Sequence, residues 1–519
     1  MSQMLKSSGA TAIATMLSRV LGLVREIAYS RFMGITEVAG AFGLAFQIPN
    51  LFRRLLGEGA LTAAFIPIFK RKEKLEGEEA MWHSANAVVS GLIVAASVIV
   101  VIGIIGISIT LGLFPIRDES TVLMLRLLRV MFPYLLLVCL AAVCMGMLNA
   151  RGHFFIPALG AATLNVVMIA SVYLLTPLMG EELEERIFGL AIGVLLAGLA
   201  QALFQLPLMF REGFRYRWIQ PWSDPTVRLV VKQMLPGLIG VAAFQINVLV
   251  ASGFAFAVGP KILAAFRCAV SFMELPQGVI GVSLATYLLP TLSGLAAEKK
   301  FPEFRATLRD GIGYLLFVNM LATVFLIVLA EPIIRLLFEG GRFDFVATQR
   351  TTVALQALAP GLVAFSCVNI FARAFYALGD TKTPMKISVF CLAVNAVITL
   401  PLVWFISEAG LGIANTITGF VNMFLLTFAL RKKLARLEME PLRKHLVALF
   451  VCTAAAAALA WGTKYFWEQN LGHETFWLKL GEVFVPMVLA TLLYFGAAFT
   501  LRLPFAHDVM ALLRKRARI

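Results

Sequence analysis

Apolar residues run along this chain in long blocks, separated by short polar connections rich in Lys and Arg. The blocks fall at roughly 10–33, 38–69, 85–114, 122–149, 155–177, 187–210, 229–257, 262–296, 311–330, 350–377, 385–406, 410–430, 446–463 and 480–501. Each reaches or approaches the length of about 20 residues that crosses a ~30 Å hydrocarbon core. The pattern predicts an all-α polytopic membrane protein with fourteen transmembrane helices. The second and eighth blocks are long and hold Pro49 with Pro67 and Pro276 with Pro290, so both are expected to bend.

Composition agrees: of 519 residues, 60% are hydrophobic and 14% charged, which excludes a set of water-soluble domains. A net charge of +15 would suggest nucleic acid in a soluble protein, but here it maps to loops. With the N-terminus cytoplasmic, the cytoplasmic connections hold 28 Lys and Arg and the opposite side 7, together with the acidic GEELEE at 180–185. This bias predicts both termini in the cytoplasm. The N-terminal stretch lacks a cleavage pattern and reads as a retained first helix. The six Cys all lie in apolar runs without metal-ligand spacing and read as small core residues.

One offset recurs. Pro49 and Pro276 lie 227 residues apart, as do the Gly-x4-Pro pairs Gly152/Pro157 and Gly379/Pro384. Two duplicated six-helix halves explain this, giving an N-terminal lobe at 1–212, a cytoplasmic linker at 213–228 and a C-terminal lobe at 229–430. The last two helices and a basic tail, 431–519, fall outside the repeat.

Charges inside spans are costly and therefore informative. Ten basic residues lie within spans or at their ends, all Arg: Arg19, Arg25, Arg31, Arg53, Arg54, Arg126, Arg129, Arg267, Arg350 and Arg373. Within the spans that carry these Arg the acidic residues are few: Glu26, Glu37, Glu58 and Glu274. Ser18 and Arg25 share one stripe of the first helix with Gly22 between them, which leaves space for a ligand. Arg53 follows the bend at Pro49 and Asn50. A guanidinium fork suits phosphate. Structural alternatives stand beside these readings: Arg54 paired with Glu58, Arg31 and Arg373 as interface anchors, and Arg267 linked to Glu274 through Ser271 on one helix face.

Several chemistries are disfavoured. All five His map to connections, which removes a Ser/His hydrolase, a zinc protease or bis-His haem from the membrane interior. No Walker sequence occurs. No nucleic-acid partner and no cofactor is expected, and the energy source stays open between membrane potential, Na⁺ and H⁺.

The runs LSRVLGLVREIAYSRFMG at 17–34, PNLFRRLLGEGALTAAFIPIF at 49–69 and MELPQGVIGVSLATYLLPTLS at 273–293 closely resemble the MurJ family of bacterial lipid II flippases. That family is the MVF branch of the multidrug/oligosaccharidyl-lipid/polysaccharide exporter superfamily, and the resemblance covers essentially the whole chain. It implies a V-shaped, non-enzymatic transporter of the bacterial inner membrane, with a central cationic cavity and a lipid-tail groove at helices 13 and 14. The cargo implied is lipid II, an undecaprenyl-pyrophosphate-linked disaccharide peptide for cell-wall synthesis, flipped by alternating access. Membrane lipids and the cell-wall synthesis machinery are the other partners implied. By position, Ser18, Arg19, Arg25 and Arg53 match residues the family needs, and Asn50, Glu58, Pro157 and Glu274 also stand at family positions. Substrate binding is therefore expected from Ser18, Arg19, Arg25, Asn50, Arg53, Arg267, Ser271 and Glu274, and structural or gating roles from Pro49, Glu58, Pro157 and Pro276. Two positions depart: the family acid is replaced by Gly40 and a family Arg by Ser271, with Arg267 one turn earlier as the candidate replacement. The alternative readings are export of another polyprenyl-pyrophosphate glycan or of amphiphilic drugs; a membrane-embedded transferase is disfavoured by the absence of acid pairs and of a sizeable soluble domain.

Overall fold

The computed structural model describes residues 2–57 and 60–506, so Glu58 lies outside the described residues. These form two compact units, Met1–Ala264 and Ala265–Ile519. The division falls after the ninth helix, whereas the expected lobes, defined by duplication and not by contact, divide at 213–228.

The first unit contains α1 (Ser2–Met33), α2 (Glu37–Phe52), a π-helical turn (Arg53–Gly57), α3 (Ala60–Glu76), α4 (Glu78–Leu113), α5 (Glu119–Met131), α6 (Tyr134–Ala150), α7 (Phe155–Leu174), α8 (Leu183–Arg211) and α9 (Pro225–Val258). Helix α1 packs along α7, α7 and α6 along α8, and α2 along α5. Helix starts are set by side chains that satisfy the first orphan amides: Thr36 accepts from the Ala39 N–H at 3.2 Å and Asp118 from Thr121 at 2.9 Å.

Helix α10 (Pro260–Pro276) straddles the division and runs into a second π-helical turn, Gln277–Val282. The second unit continues with α11 (Ser283–Ala297), α12 (Phe301–Val328), α13 (Ala330–Leu337), α14 (Phe345–Leu358), α15 (Gly361–Ala377), α16 (Lys382–Lys433), α17 (Glu440–Asn470) and α18 (Phe476–Thr500). Its core gathers Leu288, Phe304, Phe317, Phe375 and Tyr494, and the Tyr494 hydroxyl donates to the Phe317 carbonyl at 2.7 Å. The 52 residues of α16 are two helices meeting at a non-helical break, Ile406–Ser407.

The 227-residue offset reappears in the backbone. Each unit has a π turn shortly after the matched prolines Pro49 and Pro276. Pro133 breaks α5 from α6, Pro360 breaks α14 from α15, and both bends measure 46°. Beyond these, Gly152 (φ 89°) and Gly379 (φ 73°) end α6 and α15 in the left-handed region. There His153 donates to the Leu148 carbonyl and Asp380 to Phe375, both at 2.9 Å, the same Schellman closure twice. Where bends are expected, in the second and eighth blocks, the α-helix gives way to a π turn. The bends in the fourth and tenth were not expected, although Pro133 and Pro360 were legible. Among the described residues, seven single helices are long and apolar enough to cross a membrane, and nine crossings result when each 46° pair counts as one.

Candidate functional site

Helix α1 presents Ser18 and Arg25 toward α7, and the residue that joins them is Asn165, only 6% exposed. Its Nδ2 donates to the Ser18 backbone carbonyl at 3.1 Å, and its Oδ1 accepts from Arg25 Nη1 at 3.0 Å. Gly22 lies between: a Cβ there would sit 3.8 Å from Asn165 Nδ2, so the space expected for a ligand holds the Asn165 amide instead. Arg25 Nη2 donates to Glu26 at 2.5 Å, and the guanidinium carbon stands 5.6 Å from the Tyr29 ring centroid. Burying a guanidinium within an apolar helix is tolerable only with such partners. Its Nε is buried without one. Ser18 enters this arrangement through its carbonyl, while Arg19 points to an exposed face.

On the second span, Asn50 and Arg53 beside the bend at Pro49 hydrogen-bond each other. Arg53, the first residue of the π turn, donates from Nε to Asn50 Oδ1 at 2.8 Å, so Asn50 orients the guanidinium. Pro49 is buried inside α2. π turns open a helix locally and recur at functional sites. Pro157 is buried in the first turn of α7, where a missing amide hydrogen costs nothing.

In the second unit, Arg267, Ser271 and Glu274 lie along α10, with Glu274 exposed and the other two half-buried. The Ser271 hydroxyl is turned back onto the Cys268 carbonyl at 2.7 Å. Pro276 ends the helix ahead of the second π turn.

Of the remaining span arginines, Arg31, Arg54, Arg126 and Arg129 are exposed and Arg373 stands 5.9 Å from the Tyr376 ring. Arg350 hydrogen-bonds Glu408, a buried acid at the break of α16 that the reading of 407–409 as a connection concealed.

Several further contacts were not legible in the sequence. Gly40 is enforced by packing: a Cβ there would lie 2.2 Å from the Pro260 carbonyl oxygen, which is why no acid can stand at this position in this arrangement. Arg335, which falls between two spans, is 3% exposed and donates to Glu482 at 2.8 Å and Glu331 at 2.5 Å, tying α13 to α18. Lys479 bonds Glu339 at 3.0 Å, and burial, reinforced by the nearby Arg335, holds the His473 imidazole below its usual range. On the connections of the first unit, Arg151 binds Glu73 and, at 2.8 Å, Glu212. Hydrogen bonds from Lys70 to Glu73 and from Arg151 to Glu212 hold both carboxyls below their usual range.

Comparison with known proteins matches residues 29–481 to the family model described as lipid II flippase MurJ. The chain is 33% identical over 506 residues to a probable lipid II flippase MurJ of Bdellovibrio bacteriovorus, covering 96% of this chain and 95% of that one. It is 32% identical to the Vibrio cholerae relative of the same name, covering 82% of each. Among solved structures it is similar to a lipid II flippase MurJ in an inward closed conformation, with TM-score 0.77, 22% identity and coverage of 95% and 98%. A multidrug resistance MATE transporter of the MOP superfamily in an inward-facing conformation matches at TM-score 0.68 and 16% identity, covering 83% and 98%.

Proposed function

Because the chain belongs to the lipid II flippase MurJ family, we propose that it carries lipid II from the inner to the outer leaflet of the bacterial cytoplasmic membrane by alternating access. The observation that carries this reading is Arg25, a guanidinium held within an apolar helix by Asn165, Glu26 and Tyr29. Such a pre-positioned cation suits an anion that must leave water. A pyrophosphate offers several oxygens to guanidinium donors, and each charge-assisted hydrogen bond contributes about 1.5–3 kcal/mol. Arg53, oriented by Asn50 at the π turn, supplies a second such group, and Ser18, Arg19, Arg267, Ser271 and Glu274 are assigned to the rest of the site. The π turns after Pro49 and Pro276 are points where the helices can flex as access alternates.

In this reading both termini are cytoplasmic, as the charge bias of the connections supports. Membrane potential acting on the cationic site supplies about 2.3 kcal/mol per charge per 100 mV; Na⁺ or H⁺ coupling is the competing source. The cargo is tested by native mass spectrometry of the purified protein with lipid II. Binding that Arg25→Ala weakens about 10- to 150-fold, the equivalent of one charge-assisted bond, supports the proposal. Equal binding by parent and variant refutes the assigned site. Tight binding of another polyprenyl-pyrophosphate glycan in preference to lipid II moves the cargo to that class.

A further inference from the structure

Five basic residues cluster at and beside the connection between α8 and α9, and all are exposed: Arg211, Arg215, Arg217, Arg228 and Lys232. The same stretch exposes Tyr216, Trp218 and Trp222, at 45%, 53% and 61%. Its two acids are engaged elsewhere. Glu212 is taken by Arg151 and His153, and Asp224 caps α9 through the Thr226 N–H at 2.7 Å. The segment therefore presents positive charge and large aromatic rings without a compensating carboxylate.

It is also a built surface and not a slack loop. Residues 214–220 run without helix along α4, which offers the buried polar residues Asn86 and Ser90 one turn apart. Asn86 Nδ2 donates to the Arg215 carbonyl and Asn86 Oδ1 accepts from the Arg217 N–H, both at 3.0 Å. Ser90 Oγ accepts from the Ile219 N–H and meets the Tyr216 hydroxyl, both at 3.3 Å. Gly91 lets the chain approach: a Cβ there would lie 3.2 Å from the Pro221 ring. Phe214 anchors the near end 5.6 Å from Trp82. Two of the guanidiniums are pre-set as well, Arg215 on the Phe210 and Phe214 carbonyls and Arg228 on that of Trp222.

We propose that this strap is an anchor for anionic phospholipid headgroups at the cytoplasmic leaflet. The fastening points lie within the first ~18 Å of α4, at 1.5 Å per residue, close to the cytoplasmic end of its apolar run. Exposed Trp beside Arg at that level is the chemistry of the membrane interface, and Lys and Arg there meet the negative surface potential of acidic lipids. The anchor would seat the end of α8 and the start of α9 on the leaflet that supplies the cargo. The inference rests on the charge-derived orientation and is independent of the cargo.

The test is native mass spectrometry of the full-length protein with equimolar phosphatidylglycerol and phosphatidylcholine of matched chains. The parent should retain phosphatidylglycerol about fivefold or more over phosphatidylcholine, the ratio expected of one interfacial charge. R215Q/R217Q/K232Q should bring that ratio close to one, and the charge-preserving R215K/R217K should keep it. Independently of any variant, the parent's preference should fall as ammonium acetate rises from about 50 to 500 mM. Equal retention of both lipids, an undiminished ratio in the Gln variant, or a salt-independent preference overturns the proposal. Displacement of the lipid by millimolar inorganic phosphate also overturns it, since the surface would then be a site for free phosphate.

Discussion

Replacing Gly40 by Ala adds one carbon at a place where the backbone of another helix already stands. The new Cβ would lie 2.2 Å from the Pro260 carbonyl oxygen, 2.6 Å from its carbon and 2.7 Å from the Pro260 Cβ. Ordinary contact begins near 3.4 Å, so α2 and the start of α10 must part by about 1 Å, and two of the three opposing atoms are backbone that no rotamer can move. Overpacking of this kind costs about 1–3 kcal/mol, which disfavours the close arrangement roughly 5- to 150-fold against one in which these helices separate. Lys261 and Glu37 report on the contact, standing 4.0 Å apart in the same unit. Zero-length carbodiimide coupling of that pair, quantified by peptide mass spectrometry, should fall at least about fivefold in Gly40→Ala. Gly106→Ala is the internal control, since a Cβ there meets nothing within 4 Å. Coupling in Gly40→Ala equal to that of the parent would refute the packing argument and with it the explanation of why the family acid is absent here.

Three further outcomes follow. Asn165→Leu removes two hydrogen bonds, one to a charged group, and should weaken lipid II binding about tenfold or more while Gln201→Leu on α8 leaves it within about twofold; the native mass spectrometry assay reads both. Arg335→Met leaves Glu482, 1% exposed at its side chain, without its cation and should destabilise the detergent-purified protein by about 3–5 kcal/mol, whereas adding Glu482→Met should restore most of the loss in thermal unfolding. The Asp380 carboxyl is pulled to about 2 by Lys433, with help from the Thr383 amide. A depressed carboxyl contributes stability above its unfolded value of 3.8 and loses it as pH falls toward about 2. Lys433→Gln should therefore cost at most about 1 kcal/mol at neutral pH, given the partial exposure of the pair, and the difference from the parent should vanish between pH 4 and 2.

Much of the fold was legible because lipid imposes long apolar helices and proline imposes breaks. The offset between Pro49 and Pro276 in the sequence returns as paired π turns, and Pro133 with Pro360, at the same offset, returns as equal bends. The arginines were legible as costly charges, but their partners were not. Asn165 is one polar residue in an apolar helix 140 positions from Arg25, and only tertiary packing shows that it fills the gap at Gly22. Glu408 was hidden because it stands at the break where the two helices of α16 meet, and a residue between two spans looks solvated until its burial and its bond to Arg350 are seen. Arg335 was hidden because a cation between two spans looks solvated until α18 packs against it with Glu482.

The central claim, that a fixed arginine site on the first two spans moves lipid II, is tested most directly in a bacterium depleted of its own lipid II flippase. The measurement is lipid II exposed on the outer leaflet, with the parent compared to Arg19→Ala, Arg25→Ala and Arg53→Ala at matched expression. The account predicts that the parent restores exposure and growth and that Arg25→Ala and Arg53→Ala do not. Full restoration by Arg25→Ala, or none by a well-expressed parent, would contradict it.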